Sequence, residues 1–164
     1  TNAVQAAAKK VSANASATDE QAAQAHFYLG KIAFDRKEYD PAMQSFVKVM
    51  QMSDNEQTAE ARYLIAEIHY QKRNLDKAKQ RCLDNNNDNS NYPYWVGKSL
   101  LLLSDVFAEQ DDVFSAKTVL EALIDNYEDK TDDIIPTAKK KLEALNKSGS
   151  NRLDRSNNFM DDGN

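Results

Sequence analysis

The sequence predicts an all-α protein: a helical solenoid assembled from antiparallel helix pairs. Two observations lead to it. A small residue is followed twelve positions later by alanine three times, as Gly30 and Ala42, Ala66 and Ala78, Ser104 and Ala116. The alanines recur after 36 residues (78 minus 42) and 38 residues (116 minus 78), a period that marks helical repeats stacked in a row. The second observation is that strand signals are nearly absent: the 164 residues hold 4 glycines and 3 prolines, and no alternating apolar stretch bounded by turn residues occurs.

Each element follows in order. Val4, Ala7 and Val11 lie on one helical stripe, so residues 4–11 read as a helix, the returning half of another repeat. Its alanine-rich surface offers little apolar area, and it must dock to persist. Ser12 to Asp19 reads as a turn, with Thr18 as N-cap and Gln21 completing a capping box. The first repeat leads with His26–Phe34, turns at Arg36-Lys37-Glu38 and returns from Tyr39 through Ala42 to Met50. The second leads from Ala61 to Tyr70, turns at Lys72-Arg73-Asn74 and returns from Leu75 through Ala78 to Cys82. The run Asp84 to Asn91 is polar and poor in helix formers, which predicts that this helix ends near Leu83 and that a long connection leads to Pro93. The third repeat leads from Lys98 to Ala108, turns at Gln110-Asp111-Asp112 and returns from Val113 to Ile124. Asp132 and Asp133 are placed to cap a last helix containing Ile134, Ile135, Ala138, Leu142 and Leu145, which covers the end of the stack. Residues 147–164 lack apolar periodicity and read as disordered. The expected organisation is an N-terminal helix (1–17), three helix-turn-helix units (18–133), a capping helix (134–146) and a tail (147–164), with at least seven helices in all.

Composition narrows the function classes. A net charge of −5 and a pI near 5.1 argue against nucleic acid as the main partner, because phosphate binding needs a basic field. Lys139-Lys140-Lys141 is a local exception, read as a solvated helix face. No apolar stretch approaches the roughly 20 residues needed to span a bilayer. Cys82 has no second cysteine with which to pair and sits on the inner side of a returning helix, a packing position. The chain starts Thr1-Asn2-Ala3 without methionine and reads as an excised fragment, so its start says nothing about export. His26 and His69 stand on different repeats with no second ligand at metal spacing, and no phosphate loop or nucleophile elbow occurs. The acidic pairs Asp111-Asp112 and Asp132-Asp133 fall at a turn and a helix start. No catalytic residue, metal or cofactor is expected, and the reading is not an enzyme.

With small residues at both crossings of three aligned helix-turn-helix units, residues 23–127 resemble the tetratricopeptide repeat family. The units depart from the family pattern: the bulky residue early in the leading helix is His26 in one and Arg62 in the next, with Leu100 conforming, and the closing proline is missing. The resemblance implies a right-handed superhelix whose leading helices line a concave groove. Transferred by offset, that groove comprises Phe27, Tyr28, Lys31 and Phe34, then Tyr63, Glu67 and Tyr70, then Leu101 and Asp105. Leu101 and Leu102 are alternatively buried, since a helix apolar all round is usually central. The implied function is a non-catalytic scaffold that binds a peptide segment or partner protein. The alternative is a structural module that self-associates through the solenoid ends, giving a homo-oligomer. A clamp for an acidic chaperone terminus does not fit, because Lys31 is the one matching cation while Glu67 and Asp105 oppose it. The third unit is also similar to repeats of bacterial cell envelopes, which leaves periplasm or cell envelope and cytoplasm both open as locations.

Overall fold

Within repeats of this kind, the helix ends are set by caps and the pairing by small residues, and both are visible here. A computed structural model describes the backbone of residues 2–161 and the side chains of residues 2–148. The described residues form eight α-helices and no strand: α1 Asn2–Ser12, α2 Asp19–Asp35, α3 Tyr39–Met52, α4 Glu56–Gln71, α5 Leu75–Asp88, α6 Pro93–Glu109, α7 Val113–Asn126 and α8 Ile134–Asp161. They fall into two compact bodies, Thr1–Ser99 and Leu100–Asn164, divided within α6.

In the first body α1 packs on α2, α2 on α3, α3 on α4 and α4 on α5, and α2 also reaches α4. Contact between alternate helices as well as consecutive ones is the mark of stacked pairs. The core between them contains Phe27, Phe46, Val49, Ile65 and Ile68. All six repeat positions are buried: Ala42, Ala66, Ala78 and Ala116 show no exposed surface, Ser104 shows 2%, and Gly30 is likewise buried. The closeness of the first crossing is measurable, because a Cβ on Gly30 would stand 2.6 Å from Phe46 Cε1. Ser104 remains compatible with burial because its hydroxyl donates to the Leu101 carbonyl at 2.7 Å.

The three intra-repeat turns share one geometry. Lys37, Arg73 and Asp111 have φ of 60°, 61° and 60°, in the left-handed region, at the same place in each repeat. After each comes an amide that reaches back five residues: Glu38 to the Ala33 carbonyl, Asn74 to His69 and Asp112 to Phe107, each at 2.9 Å. The left-handed residue itself donates to the carbonyl three back, so every turn is a Schellman motif without its usual glycine. Glycine relieves the left-handed strain of about 1–2 kcal/mol but frees the unfolded chain by about half as much. Lys37→Gly or Arg73→Gly is therefore expected to raise stability by roughly 0.5–1 kcal/mol, read as an increase in the urea midpoint.

At the helix starts, Gln21 N donates to Thr18 Oγ1 (3.2 Å) and Thr18 N to Gln21 Oε1 (3.1 Å), the capping box expected from the sequence. Asn55 and Thr58 form another before α4. Asp112 Oδ1 accepts from Ser115 N at 3.0 Å, and Asp132 Oδ1 from Ile134 N at 2.9 Å.

Two expectations are corrected. The second returning helix does not stop near Leu83; α5 runs to Asp88, leaving only four residues before α6. The polar run stays helical because Asn85 and Asn89 continue the inward stripe of Ala78 and Cys82, and each finds a partner. Asn85 Nδ2 donates to Ser99 Oγ at 3.2 Å, and that hydroxyl donates to the Trp95 carbonyl at 2.9 Å. Asn89, fully buried just past the helix end, donates to the Ala59 carbonyl at 3.2 Å. Arg62 Nη1 donates to Asn89 Oδ1 (3.1 Å) and the Asp88 carbonyl (3.2 Å), while Nη2 reaches Asp54 Oδ1 at 3.2 Å. The arginine that departs from the repeat pattern and the polar run are thus two halves of one network.

The second correction concerns the last helix. In the second body α7 packs on α8, burying Leu120, Leu123, Ile134 and Ala138. Instead of ending at Asn146, α8 continues to Asp161 through most of the segment expected to be disordered. Extending an existing helix costs far less than nucleating one, and Lys147 pairs with Glu143 at 2.6 Å one turn back. Low apolar content was read as disorder, but it bears on docking and not on helix continuation. Residues 162–164 lie outside the described residues.

Candidate functional site

On α4 the residues Tyr63, Glu67 and Tyr70 fall at i, i+4 and i+7, so one stripe of that helix carries two aromatic rings with a carboxylate between them. All three are partly exposed. Tyr63 OH donates to Glu67 Oε2 at 3.2 Å, and Gln71 Nε2 donates to Glu67 Oε1 at 2.7 Å, so the carboxylate is held by its own helix. Beside this stripe stands the start of α6. Trp95 lies 5.7 Å from Tyr63 and 5.1 Å from Tyr94 between ring centres, and Lys98 Nζ sits 5.8 Å above the Tyr63 ring. Sequence reasoning placed none of Tyr94, Trp95 and Lys98 in the site. The signal was the aromatic run Tyr92-Pro93-Tyr94-Trp95 one turn ahead of the third repeat.

On α2 the expected residues separate. Phe27 is buried and packs on Phe46 with ring centres 6.4 Å apart, so it supports the face from below and is not on it. Tyr28 is 44% exposed. Lys31 bonds Glu60 Oε1 at 2.5 Å and lies 6.0 Å from the Phe27 ring, tying the leading helices α2 and α4 together. Phe34 is partly exposed and packs edge-on against Tyr39 of α3 at 6.1 Å. The first body thus presents Tyr28, Phe34, Tyr63, Tyr70 and Trp95 along its leading helices, with Lys31, Glu67 and Lys98 among them.

In the second body Leu101 and Leu102 are buried, as the alternative reading of these leucines expects. Asp105 is partly exposed and accepts from Lys141 Nζ of α8 at 2.6 and 2.7 Å. Lys31 and Asp105 each have an ion-pair partner on another helix, and the pairing of Asp105 offsets one of the carboxylates expected to make the groove acidic.

Among the described residues no group of three His, Cys, Asp or Glu side chains is placed to hold a metal ion. His26 is buried, and desolvation, aided by Lys48, lowers its pKa below the ordinary 6.5. His69 is lowered by desolvation and then by Arg81, Lys77 and Lys72, and its buried Nδ1 has no hydrogen-bond partner among the described residues. The unfolded chain takes up protons as pH falls through about 6.5 while the folded chain resists, so the unfolded state binds more protons there. Stability is expected to fall as pH drops below about 6.5 and to level off beneath the lowered folded values. Thermal midpoints between pH 7.5 and 5 check this, with a flatter profile expected in His26→Gln/His69→Gln.

Residues 98–129 match the sequence profile described as tetratricopeptide repeat. No curated protein matches the chain. No helix among the described residues is long and apolar enough to cross a membrane.

Proposed function

We propose that this chain is a scaffold that holds a peptide segment of a partner protein against its leading helices: residues 98–129 match the tetratricopeptide repeat, and such repeats generally mediate protein–protein interaction. The observation that carries this is the row of partly exposed rings Tyr28, Phe34, Tyr63 and Tyr70, joined by Trp95. Aromatic rings backed by a packed core supply contact area at little entropic cost, and such residues dominate interfaces. Lys31 and Glu67 already have partners within the chain, as has Asp105 in the second body. Charge on this face then tunes encounter and apolar side chains of the peptide supply most of the affinity.

The test is selection of peptides from a displayed library on the wild-type chain, followed by titration against variants. Tyr63→Ala/Tyr70→Ala is expected to weaken the selected peptides about 30-fold or more, corresponding to about 2 kcal/mol. Glu67→Lys should weaken them less, and less still at high salt. Full affinity in a double variant that remains folded by circular dichroism sinks the proposal.

A further inference from the structure

The short helix α1 has the pattern of a returning helix but not its burial. In α3 the crossing alanine and the residues four and seven beyond it are Ala42, Phe46 and Val49; in α7 they are Ala116, Leu120 and Leu123. All six are at most 4% exposed. The same offsets in α1 select Val4, Ala8 and Val11, and Val4 precedes Ala42 by 38 residues (42 minus 4), within the spacing of the later repeats. Yet Val4 is 50% exposed and Val11 37%, while Ala8 between them is buried. Next to them runs a groove of about 500 Å³ between α1 and α2, bordered also by Ala7, Ala25 and Tyr28. None of its lining residues is charged, in a chain where 29% of residues are.

We propose that this groove takes the leading helix of a further repeat, laid antiparallel on α1, which makes α1 the returning half of a complete unit. The occupant is defined by the repeats themselves. In each described repeat a leading helix accompanies the returning one, and in the first Gly30 meets the bulky Phe46. Where the position four past the crossing is the small Cys82, the leading helix carries Ala66 instead of glycine. Ala8 occupies that position in α1 and leaves room, so the incoming helix needs no glycine at its crossing, and the uncharged lining calls for no charge along its contact stripe. The last helix of a second copy does not answer this description, because α8 exposes Lys139, Lys140 and Glu143. This reading is independent of the aromatic face apart from Tyr28.

The probe is a synthetic peptide of residues 55–72, the chain's own α4 with its cap, titrated into the isotope-labelled full chain. The Val4 and Val11 methyl signals are expected to shift saturably while that of Val47, exposed on α3, stays in place. Val4→Glu, and separately Val11→Glu, should weaken this binding tenfold or more with an unchanged circular dichroism spectrum. Unmoved Val4 and Val11 signals at millimolar peptide, or shifts confined to the Tyr63 and Tyr70 face, overturn the proposal. So does a wild-type dimer in sedimentation equilibrium that Val4→Glu dissociates, since the groove would then be covered by a second copy.

Discussion

Phe46→Ala is expected to lower stability by about 3–5 kcal/mol, a large share of what a domain of this size has in total. Phe46 has no exposed surface, leans on Phe27 and fills the space that the missing Gly30 side chain leaves. Its removal opens a cavity at the helix crossing that Gly30 makes close. The reciprocal change, Gly30→Ala, puts a methyl where Phe46 Cε1 now stands 2.6 Å from the ideal Cβ position, and overpacking of this kind costs about 1–3 kcal/mol. The two sites are therefore coupled. In a Phe46→Leu background the added methyl should cost measurably less, by at least about 0.5 kcal/mol in a double-mutant cycle of urea midpoints. Additive effects would mean that the crossing relaxes by moving the helices apart and that the contact does not set their distance.

Asn89→Ala is the second large expected loss, about 2–3 kcal/mol. The buried amide serves the Ala59 carbonyl and the Arg62 guanidinium at once. Truncation removes a second hydrogen bond from the buried Ala59 carbonyl, which keeps its helical one, and an acceptor from a cation whose side chain is 15% exposed. Asn89→Leu should cost as much despite its apolar bulk, because the loss lies in the hydrogen bonds that the amide makes to Ala59 and Arg62. Arg62→Leu/Asn89→Leu should recover part of it, since replacing both partners is gentler than removing one. Equal stability of Asn89→Ala and the wild-type chain in urea denaturation would remove the network from the account of why α5 extends to Asp88.

The helix pairs were legible because they depend on position: Gly30, Ala66 and Ser104, with their three alanines, are small where helices cross, and burial follows. The caps at Thr18 and Asp132 were legible for the same reason, each being a local side chain to backbone geometry. What failed was judging a segment by composition. Asn85 and Asn89 look like loop residues, yet they hold the inward period, and only a partner distant in sequence decides whether an inward amide is tolerated. Arg62 was noticed as a departure, but nothing local ties it to Asn89, 27 residues away. At the candidate site the offsets placed Tyr63, Glu67 and Tyr70 on one stripe correctly as helix geometry. They misjudged Phe27, because the same offset falls over the core in α2. Trp95 and Lys98 were not placed beside Tyr63 because they approach it from the first turns of the next leading helix, a neighbour that single-helix reasoning does not see.

The three Schellman turns also bear on how the chain emerges during synthesis. Their closing hydrogen bonds reach back no more than five residues, so a helix pair can shut without waiting for any distant segment. Loops this short close in roughly 10–100 ns, and folds dominated by neighbouring contacts form in microseconds to milliseconds. A ribosome adds about 5–20 residues per second, so one 36-residue repeat takes roughly 2–7 s to appear. Each turn can therefore close long before the next repeat is finished, so the nascent polypeptide presents its helix pairs one after another, each waiting only for its neighbour to cover it.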